Sequence, residues 1–158
     1  MKRNPKGDGN GGFTLIEILL VIAIIAVLAV VVFVALNPGG RLADARNSRR
    51  FNDVNSLLTA IHEYTLDNDG ALPTGLTTGM GETQLGSCAS GGATLCTGAS
   101  AVCVNLTAPL AAYLKSIPLD PKDGVAATTG YSVTVDANNI VTVISCRAES
   151  GETIQVSR

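Results

Sequence analysis

The residue types able to do chemistry are few in this 158-residue chain, and their spacing narrows what they would do. The one histidine, His62, stands among polar neighbours, with no nucleophile–base arrangement and no metal-ligand cluster around it. It reads as a surface or packing residue, and no enzyme activity, cofactor or metal is expected. The four cysteines, Cys88, Cys96, Cys103 and Cys146, contain no C-x-x-C pair of the kind zinc or thioredoxin-like chemistry favours. Disulfides are the better reading, and they place this part of the chain in an oxidising, extracytoplasmic space. Four cysteines permit three pairings that sequence does not separate; the expectation carried forward is Cys88–Cys96 with Cys103–Cys146.

The ionisable residue in the least ordinary setting is Glu17. Residues 13–36 are apolar apart from Thr14 and Glu17, and as a helix they would reach about 36 Å, enough to cross a bilayer core. A carboxylate inside such a segment is costly and needs a partner. One candidate is local: Thr14-Leu15-Ile16-Glu17 has the form of a capping box, with Glu17 near the positive end of the helix. The other would be a cation supplied from outside the helix.

What precedes the apolar run has the wrong order for an ordinary secretory signal, in which small residues follow the apolar stretch. Here the basic Lys2, Arg3 and Lys6 lead into the polar, glycine-rich stretch Gly7 to Gly12, and only then does the apolar run begin. A cut at Val27-Leu28-Ala29 would leave Val30 to Leu36 exposed at a new N-terminus. Charge counting does not orient the span, because Arg41, Arg46, Arg49 and Arg50 follow it as closely as the three basic residues precede it. The chain carries a net charge of −2, and loss of residues 1–12 would make it −4, which gives no support to nucleic-acid binding.

Gly11-Gly12-Phe13-Thr14-Leu15-Ile16-Glu17 resembles the processing site of the type IV pilins and type II secretion pseudopilins. The resemblance, strongest over residues 11–36, implies cleavage by a prepilin peptidase after Gly12 and methylation of the new amine on Phe13. It also implies that Glu17, fifth in the mature chain, pairs with the amine of a neighbouring subunit. A single charge pair in an apolar bundle is satisfied at one stagger only, so Phe13 and Glu17 would set register while stem packing supplies adhesion. The partners implied are the peptidase, an inner-membrane assembly platform, a cytoplasmic ATPase and many copies of the chain in a homo-oligomeric helical filament. The subunit would be a single-pass protein of the bacterial inner membrane first, and part of an extracytoplasmic or cell-surface filament afterwards.

Beyond the stem, Asn37-Pro38-Gly39-Gly40 should interrupt the helix. Leu42, Phe51, Val54, Leu57, Leu58, Ile61 and Tyr64 then recur at helical spacing, predicting an amphipathic helix over 41–67 that ends at Asp69-Gly70 and packs on a sheet. The arginines early in it would meet solvent, lipid headgroups or acidic neighbours. Residues 70–105, rich in Gly, Thr, Ser and Ala, read as a disulfide-fastened surface loop. Thr107 to Ser116 predicts a short helix. Tyr131–Val135, Ile140–Ser145 and Thr153–Val156 predict a three-stranded meander within 131–157, turning at Asp136-Ala137-Asn138-Asn139 and at Glu149-Ser150-Gly151.

Tyr113 to Pro121 with Gly130-Tyr131 is similar to the segment entering the sheet in major pseudopilins, some of which bind calcium nearby. Asp120 and Asp123 complete no ligand set here. The fold class is therefore α+β and type IV pilin-like: a leader (1–12), a long apolar helix (13–36), and a globular portion (37–158) with a second helix on a small antiparallel sheet. The expected function is that of a structural subunit of a type IV pilus or related filament. Alternatives are a pseudopilin of a type II secretion system and a single-pass membrane-anchored binding module.

Overall fold

The computed structural model describes residues 12–158, which fall into two compact units, one ending at Gly39 and one spanning Gly40–Arg158. Of the leader 1–12, all but Gly12 lies outside the described residues.

In the first unit, α1 spans Leu15–Leu36 and consists of Leu, Ile, Val, Ala and Phe apart from Glu17. At 1.5 Å per residue it is about 33 Å long, sufficient by length and composition to cross a membrane. No side chain of α1 is buried. The helix stops because Asn37 adopts the left-handed conformation, φ 41°, and donates its N–H to the Val34 carbonyl at 3.3 Å. Asn is among the few residues that tolerate this geometry, and Pro38 behind it disfavours helical continuation.

The expected interruption therefore falls at Asn37, but the second helix, α2 (Pro38–Asp67), starts at Pro38 and not at Arg41. Proline suits a first helical position, where its missing N–H would have had no intrahelical acceptor. The inner face of α2 is Ala43, Asn47, Arg50, Val54, Leu57, Leu58, Ala60 and Ile61. Leu42 and Phe51, expected on it, are 60% and 53% exposed, because they lie roughly a quarter turn to either side of the Val54–Leu57–Ile61 line. The helix ends in left-handed Asp69 and Gly70, the Gly70 N–H reaching back to the Thr65 carbonyl at 2.8 Å.

Opposite α2 stand four antiparallel strands, β1 (Thr83–Gln84), β2 (Tyr131–Val135), β3 (Val141–Ser145) and β4 (Gln155–Ser157), in that spatial order. Tyr131, Val133, Val135, Val141 and Val143 join Val54, Leu57 and Ile61 in one core, closed at the sides by Leu85, Leu106 and Leu110. The turn at Asp136 is fixed by its own carboxylate, which accepts the N–H groups of Asn138 and Ile140 at 2.7 and 2.8 Å.

Three expectations change here. The last strand is Gln155–Ser157, shifted toward the C-terminus. The segment 70–105 contributes β1 and the buried Leu76, Leu85 and Val104, so it is part of the core as well as a surface loop. A two-residue strand shows no alternation to read; pairing with β2 and the parallel bridge Leu85–Val104 create it. Residues 107–116 form turns and not a regular helix. Leu110 and Leu114 donate to Leu106 and Leu110, while Pro109 brings no N–H and disfavours helix at Ala108.

Candidate functional site

The start of α1 is organised by Thr14 and Glu17. Thr14 is the N-cap, extended at φ −75° and ψ 150°, and the Glu17 N–H donates to its hydroxyl oxygen at 3.3 Å. In return the Glu17 carboxylate accepts the Thr14 N–H at 2.7 Å and the Thr14 hydroxyl at 2.8 Å. The local reading of Glu17 as half of a capping box is thus realised in the single chain, leaving this carboxylate exposed and held against the first turn.

Phe13, immediately outside the cap, is 82% exposed. Gly12 precedes it, and a Cβ there would meet nothing within 4 Å. Neither packing nor a left-handed φ asks for glycine at position 12, so the fold of the described chain does not explain it.

The four cysteines lie in the second unit and form Cys88–Cys103 and Cys96–Cys146. The expected Cys88–Cys96 and Cys103–Cys146 pairing is therefore incorrect. The chain leaves β1, runs out through Cys88 and returns through Cys103, whose N–H donates to the Cys88 carbonyl at 3.0 Å, so these two face each other across the loop neck. Cys96 folds inward until it is 1% exposed, beside Gln84, and meets Cys146 just past the end of β3. Nearness in sequence was a poor guide because the loop closes at its neck and not at its tip.

A polar centre that sequence reasoning did not find joins α2 to the loops around the sheet. Arg50, fully buried, donates Nε and Nη2 to the two Asp120 carboxylate oxygens at 2.6 and 3.2 Å, and Nη1 to Glu149 at 2.8 Å and Asn47 Oδ1 at 3.0 Å. Arg46 adds a two-pronged contact to Glu149 at 2.6 and 2.9 Å. Burial pushes the Asp120 carboxyl up, but Arg50 and the N–H groups of Lys122 and Asp123 outweigh it and hold it below the usual range. Arg46 and Arg50 pull Glu149 well below the usual range. Burial likewise disfavours the Arg50 charge, and its two carboxylates more than restore it.

Gly130, at φ 83°, makes room for this cluster, since a Cβ there would lie 2.7 Å from the Asp120 Cβ. The signal was present in the sequence: Arg50 stands four residues before Val54 and seven before Leu57, on the core line. Asp120 and Asp123, weighed as calcium ligands, are engaged by arginines, Asp123 by Arg147 at 2.7 Å. Glu82 gathers with Cys96 and Cys146 within 4.8 Å, but both sulfurs are spent in a disulfide.

Comparison with known families adds one finding. Residues 8–33 match the prokaryotic N-terminal methylation motif, the signature shared by type IV pilins and pseudopilins. It covers the candidate processing site and most of α1. Neither curated proteins nor solved structures give a match to the chain.

Proposed function

We propose that this chain, a carrier of the pilin-type methylation signature on a type IV pilin-like α+β layout, is the structural subunit of a surface filament, cut after Gly12 and assembled through α1. The observation that carries the proposal is α1 itself. Its whole circumference is apolar and none of it is buried, so it must be covered by lipid or by other helices. A tether needs no more than lipid. The matched motif, the glycine at position 12 that the fold does not require, and the cap-bound Glu17 favour exchange of lipid for other copies of α1.

Cutting at Gly12 creates a Phe13 α-amine with an ordinary pKa near 7.7–8.0, and a methyl group leaves its positive charge in place. The Glu17 carboxylate exchanges its Thr14 contacts for the amine of an adjacent subunit, and the pair fixes one stagger between packed helices. Membrane anchoring comes first, assembly second, and extraction from the bilayer needs external work. The loop between Cys88 and Cys103, stapled at its neck and tied to the sheet by Cys96–Cys146, gives the exposed surface the covalent stiffness a surface filament uses.

Mass spectrometry of the N-terminal peptide, taken separately from sheared filaments and from membranes, tests this. A peptide beginning at Phe13 and one methyl group heavier, abundant in filaments, is the expected result. The same peptide confined to membranes would favour a secretion pseudopilin, and an uncut N-terminus in both would favour a tethered binding module.

A further inference from the structure

The outward face of α2 carries an ordered charge pattern of which its own unit uses only the Asp67 carboxylate, accepting the Tyr113 hydroxyl at 2.9 Å, and a 3.8 Å approach of Arg49 to Asp53. At 100° per residue, Arg41, Arg49, Glu63 and Asp67 fall within about 80° of one another, opposite the buried Val54–Leu57–Ile61 line. Between the basic and acidic ends the same stripe holds only the short, neutral Asn52, Ser56 and Thr59. Among the described residues neither Arg41 nor Glu63 has an ion pair, and Arg49 has only a 3.8 Å approach to Asp53 at 63% exposure. Apart from that one i, i+4 approach, the charges of the stripe are not paired along the helix. Opposite charges are instead held some twenty residues apart on one face, about 30 Å along the axis, where they cannot satisfy each other.

We infer that this stripe is an interface for a second copy of the chain, the basic end of one α2 lying against the acidic end of another displaced by about 30 Å along the α2 axis. The inference rests on the filament reading proposed above and adds a surface and a register to it. Charge complementarity selects the occupant, since one molecule carries both halves of the match and repeats it in every copy. Contact between a basic end and a different, acidic end is head-to-tail, and a rotation that does not close then propagates as a helix of subunits. Stripes turned toward a common axis meet one another, and the short side chains at Asn52, Ser56 and Thr59 let the helices approach. A groove of about 420 Å³ beside the acidic half, lined by Asn52, Ser56, Thr59, Glu63 and Tyr113, is open to receive the incoming guanidinium groups.

The test is charge reversal and exchange in the full chain, expressed with its processing and assembly apparatus and read as sheared filament yield. Arg41→Glu and Glu63→Arg should each lower the yield about tenfold by placing like charges together, and the two combined should recover it to within about threefold. All variants should keep the tyrosine near-ultraviolet signal of the folded second unit in detergent. As a direct measure, Arg41→Cys combined with Glu63→Cys should give a covalent ladder when filaments are oxidised, since one helix holds the two sites too far apart to join within a chain. Unchanged yields with the single reversals, an exchange no better than the poorer single variant, or oxidised filaments containing monomers only would each overturn the inference. So would loss of membrane association with Arg41→Glu while Glu63→Arg has no effect, which would assign the basic end to anionic headgroups. A wild-type chain that forms no filaments at all would instead remove the filament reading on which the inference stands.

Discussion

Replacing Arg50 with Met puts the buried polar centre to a quantitative test. The substitution keeps most of the side-chain volume and removes two hydrogen bonds to Asp120, one to Glu149 and one to Asn47. Glu149 retains Arg46 and Lys122, but Asp120, whose side chain has no solvent exposure, keeps only the Lys122 and Asp123 N–H groups. Removing one partner of a buried ion pair costs about 3–5 kcal/mol. For a unit of this size, near 4 °C per kcal/mol, that is a fall in melting temperature of about 12–20 °C.

All three tyrosines, Tyr64, Tyr113 and Tyr131, lie in the second unit and the chain has no tryptophan. Tyrosine near-ultraviolet circular dichroism of the full chain in detergent therefore reports on that unit alone. Adding Asp120→Asn to Arg50→Met removes the orphaned charge while keeping an acceptor for the turn, and should reduce the loss to about 1–2 kcal/mol. The thermodynamic cycle should then show at least about 1 kcal/mol of coupling, plus whatever Asp120→Asn costs alone. A loss below about 1 kcal/mol for Arg50→Met, or costs that simply add in the double variant, would refute the assignment of Arg50 as the counter-charge that makes Asp120 tolerable.

Acid should act on the same centre. Asp120 and Glu149 have folded pKa values below their ordinary 3.8 and 4.5, so the stability they add is present above about pH 4.5 and is lost as pH falls through the lowered values; melting curves taken from pH 6 to pH 2 should fall steeply below about pH 4, and less so with Arg50→Met. Mild reductant followed by alkylation and peptide mass mapping should label Cys88 and Cys103 before Cys96, which is 1% exposed. Loop-closure entropy gives about 3 kcal/mol for the 15-residue separation and about 4 kcal/mol for the 50-residue one, so Cys96→Ser with Cys146→Ser should lower the melting temperature more than Cys88→Ser with Cys103→Ser. At the N-terminus, Gly12→Leu should leave the precursor uncut without altering the fold, whereas Glu17→Ala should permit cutting and reduce filament yield, both read from the mass of the N-terminal peptide and from sheared material.

Patterns confined to one stretch of chain were readable from the residues. The apolar run, the capping box at Thr14–Glu17, the break before Pro38, the Asp69-Gly70 stop and the β2–β3 hairpin each follow from propensity, periodicity or turn chemistry acting within a few residues. The charged stripe on α2 was equally present in the letters, yet it acquires meaning only once the opposite face is known to be buried.

Tertiary structure decided what depends on closing long loops. The disulfides pair across a neck and into the core because β1 leaves the sheet where Val104 returns to it, and no local rule encodes that distance. Arg50 is hidden because the 120–124 turn and the residues after β3 bring two carboxylates to it from 70 and 99 positions away. Sequence by itself therefore determined that this chain carries the pilin-type methylation signature on an apolar helix long enough to cross a membrane, since both lie in one contiguous stretch. How the globular portion holds together was settled only by packing, because a buried charge is tolerable solely when its partners arrive from elsewhere in the chain.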